Sequence, residues 1–255
     1  MHSLHCSIVI MLAVVFCPVR TTLALTDSNR WDKIKQKEAL EASMEAKDRK
    51  ARSITILKKE GVPYIDHLSV IEDSSTAKKR TKEEIAKRAI AVCLTAVKGE
   101  GIEQPILDSL VKKYGANNFF TPKEAEFIKK AKPTKQEMIQ FSWRYECFWV
   151  LLWSLGYVDK LERPESMCDV AKAVSVLKDR TTDQFIHDGK LRDLSEILDK
   201  ADLIYRYSWA AVDARVKEKD APASLDAGVL QEWHHALNWL IGYMDQDWDD
   251  ISTDT

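Results

Sequence analysis

Apolar residues recur at three- and four-residue intervals along most of this chain, and this pattern predicts helices. The longest amphipathic run extends from Leu191 to about Lys219. Strand-like alternation never continues far enough to predict a sheet. We therefore predict an all-α fold, a single-domain bundle of about seven to eight helices with a Trp-rich core.

Three helix starts carry the same capping signature, a Thr followed three residues later by Glu, in which each residue satisfies a free backbone N–H group. The pairs are Thr81 with Glu84, Thr121 with Glu124, and Thr134 with Glu137. They predict helices over residues 82–98, 122–132 and 135–155, the last ended by Gly156.

Further helices are predicted on either side of these three. Periodicity and breaking residues place them at 31–60, 106–114, 165–179, 191–219 and 226–244. The first is highly charged and has few apolar positions, so we expect close packing to begin near Ser53. The domains are then a charged helical extension over 25–52 and a helical domain over 53–255.

The N-terminus has the pattern of an export signal. An apolar run at 8–19 precedes Thr22-Leu23-Ala24, and small residues at such a site predict cleavage after Ala24. We expect export to the periplasm or the extracellular space, although Met1 to Cys6 carries no Lys or Arg. An uncleaved anchor and a cytoplasmic location are the alternatives; the mature chain is predicted to contain no membrane span.

Charge and motif content exclude several common functions. The chain has 38 Lys and Arg against 40 Asp and Glu, so it has no basic field that would attract nucleic acid. Signal cleavage leaves Cys93, Cys147 and Cys168 without the spacing of a zinc site, and Cys93 and Cys147 lie in apolar helical stretches where we expect them to be buried. P-loop, dinucleotide-binding, serine-hydrolase and zinc-protease motifs are all missing, and we predict no metal or cofactor.

Charged residues inside apolar helices are the first candidates for a site. Arg144 and Glu146 interrupt the apolar segment 141–155, so each should meet an opposite charge or line a polar cleft. The long helix offers partners, since Arg192 lies four residues before Glu196 and Asp202 four before Arg206. Asp202, Arg206 and Asp213 form either a solvated face or the rim of an aromatic patch made by Tyr205, Tyr207 and Trp209.

The last helix separates a wide apolar face from a smaller polar one. Glu232, His235 and Trp239 share the polar side, with Asn238 nearby. On this polar side, Trp239 is either covered by the C-terminal tail or forms the wall of a pocket that contains His235. The tail begins like a calcium loop, but Asp250 occupies the position that requires Gly, so we predict an acidic terminus held by Trp248.

Together these segments resemble one catalogued family. The motifs are WRYE at 143–146, LLWSLG at 151–156, LR at 191–192, EILD at 196–199, YR at 205–206, WA at 209–210, HHALNWL at 234–240, WD at 248–249 and DT at 254–255. In this order they resemble the family catalogued as domain of unknown function 4272, over about residues 52–255. The resemblance implies a mainly helical single domain, and the family carries no established activity.

The resemblance also assigns weight to particular residues. These are Arg144, Glu146, Arg192, Glu196, Arg206, Trp209, His235, Asn238, Trp239, Trp248 and Asp249. The family pattern has Arg at the position of Trp233, so a site that used that Arg would be altered here. The export signal is implied to be an addition to the family.

Two main functions compete. The first is a non-enzymatic binding module whose Trp and Arg patches recognise a protein or a small ligand. The second is an enzyme, such as a hydrolase, that uses His235 with Glu232 or Glu146 in one cleft. A third hypothesis, in which the charges only join helices, predicts Arg144 packed against a carboxylate with no pocket nearby.

Overall fold

A computed structural model describes residues 42–255 and confirms the all-α prediction. The helices are α1 (Met44–Glu60), α2 (Lys82–Gly99), α3 (Gln104–Tyr114), α4 (Pro122–Lys129), α5 (Lys135–Ser142), α6 (Arg144–Ser154), α7 (Val170–Lys178), α8 (Thr182–Asp188), α9 (Leu194–Val216) and α10 (Ala227–Ile241). Counting α5 and α6 as one bent helix gives nine helices among residues 42–255, slightly more than we predicted. The predicted signal peptide at 1–24 and residues 25–41 of the extension lie outside the described residues.

Capping explains where several helices begin. All three predicted capping boxes are formed, with Thr81, Thr121 and Thr134 each accepting a bond from the N–H of the Glu three residues later. A fourth box, Thr181 with Gln184, starts α8, which the sequence analysis missed. A helix of seven residues is too short to show periodicity, so this box was its main signal.

The predicted helix over 135–155 is divided at Trp143. The bend allows α5 to pack closely on α2, where a Cβ added at Gly99 would lie 2.5 Å from the backbone nitrogen of Ser142. It also places the Trp143 ring against Gly228 of α10, since a Cβ added there would lie 2.7 Å from that ring. The predicted continuous helix is therefore interrupted, because α5 packs on α2 while the Trp143 ring packs on α10 in a different direction.

The core is a chain of packed helices. Helix α1 packs on α9, α9 on α10, α10 on α6, α6 on α2, and α2 on α5. Four tryptophans of this core are buried, namely Trp153, Trp233, Trp239 and Trp248. Within residues 42–255, no helix has the length and apolar character needed to cross a membrane.

Close packing begins earlier than the predicted boundary at Ser53. Helix α1 starts at Met44 with Ser43 as its N-cap, and Ala46 is already buried. Arg49 is 1% exposed and donates to the carbonyl oxygen of Glu72 at 3.0 Å. The charge of this stretch therefore does not imply a solvated extension, because a buried arginine ties the helix to the following loop.

The last helix is shorter than predicted and ends at Ile241. Gly242 adopts a left-handed backbone (φ 70°) as the C-cap, and a Cβ there would lie 2.4 Å from Cβ of Lys78. Met244, which the predicted helix over 226–244 includes, therefore follows the helix and is 66% exposed. The close approach of the Lys78 segment explains why glycine stands at this turn.

Candidate functional site

Arg144 meets the opposite charge that its position predicted. Its Nη1 lies 2.9 Å from Oε2 of Glu232, and the two side chains are 20% and 14% exposed. The Sγ of Cys147 also lies 3.0 Å from the same carboxylate oxygen. The pair joins the start of α6 to the middle of α10.

Glu146, which was expected to meet an opposite charge or to line a polar cleft, pairs with no cation of residues 42–255. Its oxygens accept bonds from the indole Nε1 of Trp233 at 2.9 Å and from the backbone nitrogen of Cys168 at 2.7 Å. Burial raises the pKa of Glu146, and these two bonds act in the other direction. Neutral donors therefore satisfy this buried carboxylate. One of them, Trp233, occupies the position at which the resemblance places Arg.

His235 is buried against the C-terminal tail. Its ring meets the Trp248 ring edge to face, with centroids 4.7 Å apart. Burial, followed by the charges of Arg144 and Arg88, lowers the pKa of His235 to about 3. Its Nε2 has no hydrogen-bond partner among the described residues, and none of their carboxylates bonds to the ring. The His–carboxylate pair of the hydrolase hypothesis is therefore not formed at this position.

The tail provides the cover that Trp239 requires. Trp248 is buried and packs edge to face on Trp239 at 5.4 Å, while the guanidinium of Arg80 lies 4.7 Å from the Trp239 ring. Asn238 Nδ2 donates to the carbonyl oxygen of Ser252 at 2.8 Å. Asp249 accepts a bond from the backbone nitrogen of Lys123 at 3.2 Å. These contacts hold residues after α10 against the domain.

A buried ion pair supports the same region from α2 and α4. Arg88 and Glu124 are 7% and 2% exposed and pair with each other, and the Arg88 guanidinium lies 5.0 Å from the Trp248 ring. We call the whole set the tail clamp. It consists of Arg80, Arg88, Glu124, Arg144, Glu232, His235, Asn238, Trp239 and Trp248.

The polar band on the long helix is neither of the two surfaces that we considered. Asp202 and Arg206 are 0% and 1% exposed and pair at 2.7 Å, and Arg206 Nη2 also donates to the carbonyl oxygen of Ser69. Asp213 lies apart and pairs with Lys217 at 2.7 Å. The pair is buried because the segment before α2 covers this part of α9, which helical spacing alone could not reveal.

The remaining predicted residues lie elsewhere and do not join the tail clamp. Arg192 donates to the carbonyl oxygens of Trp153 and Val158 at 2.8 and 2.9 Å, near the end of α6. Glu196 is 54% exposed and pairs with Arg192 at 3.1 Å. Trp209 is half-buried on α9. The sequence candidates are therefore spread over several structural contacts.

The three cysteines within residues 42–255 form no disulfide with one another. Cys93 and Cys147 are buried, as predicted, and Cys168 is half-buried. Burial raises the pKa of Cys93 to about 12 and that of Cys147 well above its ordinary value. Among residues 42–255, no group of three His, Cys, Asp or Glu side chains is arranged to hold a metal ion.

A cleft that the sequence analysis missed lies between α1, α9 and the segment that follows α6. Its volume is about 310 Å³, within the range of small-molecule sites. We call it the α1–α9 cleft. Its walls include the apolar side chains Ile56, Leu161, Pro164, Leu203 and Ile204, and its polar groups come from Glu60, Glu162, Arg163, Lys200 and Tyr207.

The polar groups of this cleft are only partly bonded within the protein. Glu60 Oε2 accepts bonds from Arg163 Nε at 3.0 Å and from the Tyr207 hydroxyl, whereas Glu60 Oε1 accepts none from the described residues. Lys200 Nζ makes one hydrogen bond to them, to the carbonyl oxygen of Leu161 at 2.8 Å. Burial lowers the pKa of Lys200, against the opposing effect of Glu162 and Glu60.

No local motif marks this cleft in the sequence. Glu60 ends the first helix, Arg163 precedes a proline, and Lys200 lies within an amphipathic helix where a charge is ordinary. Only the packing of α1 on α9 brings them together. Two other hollows, each of about 700 Å³, are wide and open, so they would cover less of a small ligand.

Comparison with known proteins gives one match. A family model described as "Domain of unknown function (DUF4272)" matches residues 49–251. No curated protein matches the chain. No solved structure matches it either.

Proposed function

This chain belongs to the DUF4272 family, whose description assigns no activity, and we propose that it is a binding module that holds a small molecule in the α1–α9 cleft. The observation that carries the proposal is the cleft itself. It combines a volume of about 310 Å³ with an apolar wall and charged groups that have bonding capacity left over. Binding sites of small molecules have this combination of apolar lining and few placed polar groups.

The contacts of the tail clamp support this choice of site. Its charged residues bond mainly to each other and to backbone carbonyls, and its rings pack on one another. Recognition of a partner through these patches, as the sequence suggested, would require breaking contacts that hold the tail. The α1–α9 cleft needs no such rearrangement.

The enzyme hypothesis centred on His235 receives less support. A general base should have a pKa near the working pH and lie within hydrogen-bond reach of its partners. His235 is 8% exposed, its pKa is lowered to about 3, and it bonds to no carboxylate of the described residues. We therefore assign His235 a packing role beneath Trp248.

A screen with two matched variants tests the binding site. Ligand-observed NMR of the full-length chain against a fragment library would identify molecules that bind. Ile56→Trp places a large ring at the cleft wall, and Ile139→Trp does the same at a distant site of similar exposure (38% and 44%). We expect fragment binding to be lost in the first variant and kept in the second. Binding that survives Ile56→Trp, or a screen without any binder, would overturn the proposal.

We also propose that residues 1–24 direct export and are removed after Ala24. The support is the apolar run followed by small residues. Expression in a bacterial host, fractionation and mass spectrometry of the N-terminus test this directly. We expect an exported chain beginning at Leu25. An intact Met1 in the cytoplasm would contradict the proposal.

A further inference from the structure

The charged groups of the α1–α9 cleft include both signs, and each sign has unused bonding capacity. Lys200 is an ammonium with three donors, of which the described residues use one. Glu60 Oε1 is an acceptor without a partner among the same residues. A ligand that bonds to both groups carries a negatively charged acceptor for Lys200 and a positively charged donor for Glu60.

A ligand with a single charge fits this arrangement poorly. A simple anion drawn to Lys200 would also meet the carboxylates of Glu60 and Glu162. A simple cation drawn to Glu60 would meet Lys200 and Arg163. In a partly desolvated cleft such like-charge contacts are costly, whereas a zwitterion pairs with both signs.

The remaining walls define what the zwitterion carries. Ile56, Leu203 and Ile204 present apolar surface from two facing helices. The volume of about 310 Å³ is near the lower limit for ligand sites, so the apolar body must be small. An ammonium and a carboxylate on one small molecule with an apolar side chain describe a free α-amino acid.

We propose that the α1–α9 cleft binds a free α-amino acid with an apolar side chain, whose carboxylate pairs with Lys200 and whose ammonium pairs with Glu60. This inference rests on the proposed binding function and names its ligand class. A peptide end carries only one of the two charges in this position, so it is the poorer fit.

Four probes with one phenyl group separate these cases. L-phenylalanine carries both charges, phenethylamine only the ammonium, 3-phenylpropanoate only the carboxylate, and N-acetylphenylalaninamide neither. Calorimetric titration of the full-length chain should give the tightest binding with L-phenylalanine, by about tenfold over each singly charged probe, the size of one charged hydrogen bond, and by more over the uncharged probe. Equal or tighter binding of a singly charged probe would overturn the proposed ligand class.

Two substitutions assign the charges to their partners. Lys200→Met should reduce L-phenylalanine affinity to about that of phenethylamine, and Glu60→Gln should reduce it to about that of 3-phenylpropanoate. Lys217→Met, at the end of the same helix and outside the cleft, is the control and should leave affinity unchanged. Unchanged affinity in both cleft variants would contradict the assignment.

The outcomes also separate this inference from the binding function on which it rests. Fragments that bind in an Ile56-dependent way while none of the four probes binds would leave the cleft as a site and reject the amino acid. The absence of any binder that responds to Ile56→Trp would reject both. The probe series uses the wild-type chain, so it remains decisive if a variant fails to fold.

Discussion

The tail clamp and the α1–α9 cleft both gather charged and aromatic residues, but those of the clamp pack against one another beneath the tail, whereas those of the cleft line an open hollow. In the tail clamp, Arg88 pairs with Glu124, Arg144 with Glu232, and Trp248 packs on Trp239. In the cleft, Lys200 and Glu60 keep unused bonding capacity beside an apolar wall. Conspicuous residues in a sequence can therefore serve the fold, while ordinary ones form the cleft.

The largest effect is expected where the clamp buries a complete ion pair. Arg88→Met leaves Glu124, which is 2% exposed, without its cation, and this should lower the free energy of unfolding by about 3–5 kcal/mol. Urea denaturation measures the loss. Adding Glu124→Gln removes the buried charge but keeps an acceptor for the capping bond to Thr121, so the double variant should recover part of it. A double variant as unstable as the sum of both singles would contradict this account.

The second-largest effect is expected in the pH dependence of stability, through two buried histidines of α10. His235 and His234 have folded pKa values lowered to about 3 and 4, mainly by burial, against an ordinary value of 6.5. Between these values the unfolded chain binds protons that the folded chain does not. The stability contributed by these two neutral histidines is therefore fully present above pH 6.5 and is lost as pH falls toward 3.

The His235 contribution can be isolated with two matched variants. His235→Gln should flatten the pH dependence of the unfolding free energy between pH 6 and 4 by about 1.4 kcal/mol per pH unit. His187, which is 89% exposed, provides the control, and His187→Gln should leave the slope as it is. Equal slopes in wild type and His235→Gln would show that His235 is not held neutral by the fold.

A smaller effect is expected where the clamp holds the tail through one hydrogen bond. Asn238→Ala removes the bond to the Ser252 carbonyl and should cost about 1 kcal/mol in thermal or urea unfolding. Gln231→Ala removes an exposed bond to Thr253 on the same tail and should cost less. The reverse order would indicate that the tail is held mainly at its end.

The smallest effect on stability is expected in the cleft. Lys200→Met removes a half-buried charge and one bond to a carbonyl, so the unfolding free energy should change by no more than about 1 kcal/mol. Denaturation alongside Arg88→Met compares the two regions directly. A loss as large as that of Arg88→Met would place Lys200 among the structural charges and remove the contrast.

More of the fold than of the candidate site could be predicted from the sequence. Capping boxes at Thr81, Thr121 and Thr134 act within one turn, so they identified helix starts correctly. The bend at Trp143 depends on α2 and α10 packing from different sides, which local spacing does not encode. The pairing of Arg144 with an opposite charge followed from the cost of leaving it alone in an apolar helix.

The sequence did not predict the candidate site because its residues are far apart along the chain and none of them is unusual at its position. Glu60, Arg163 and Lys200 come from three separate segments and meet through tertiary packing. Asp202 and Arg206 show the opposite case, since their spacing predicted a pair but not its burial beneath the segment at Ser69. Helical geometry defines neighbours on one helix, and only the fold defines what covers them.

One measurement tests the division between the two regions most directly. It is calorimetric titration of L-phenylalanine into wild type, Glu60→Gln and His235→Gln, each confirmed to be folded at neutral pH. We predict that His235→Gln binds as wild type does, while Glu60→Gln loses about tenfold in affinity, the size of one charged hydrogen bond. Loss of binding in His235→Gln with full binding in Glu60→Gln would contradict the account and return the site to the tail clamp.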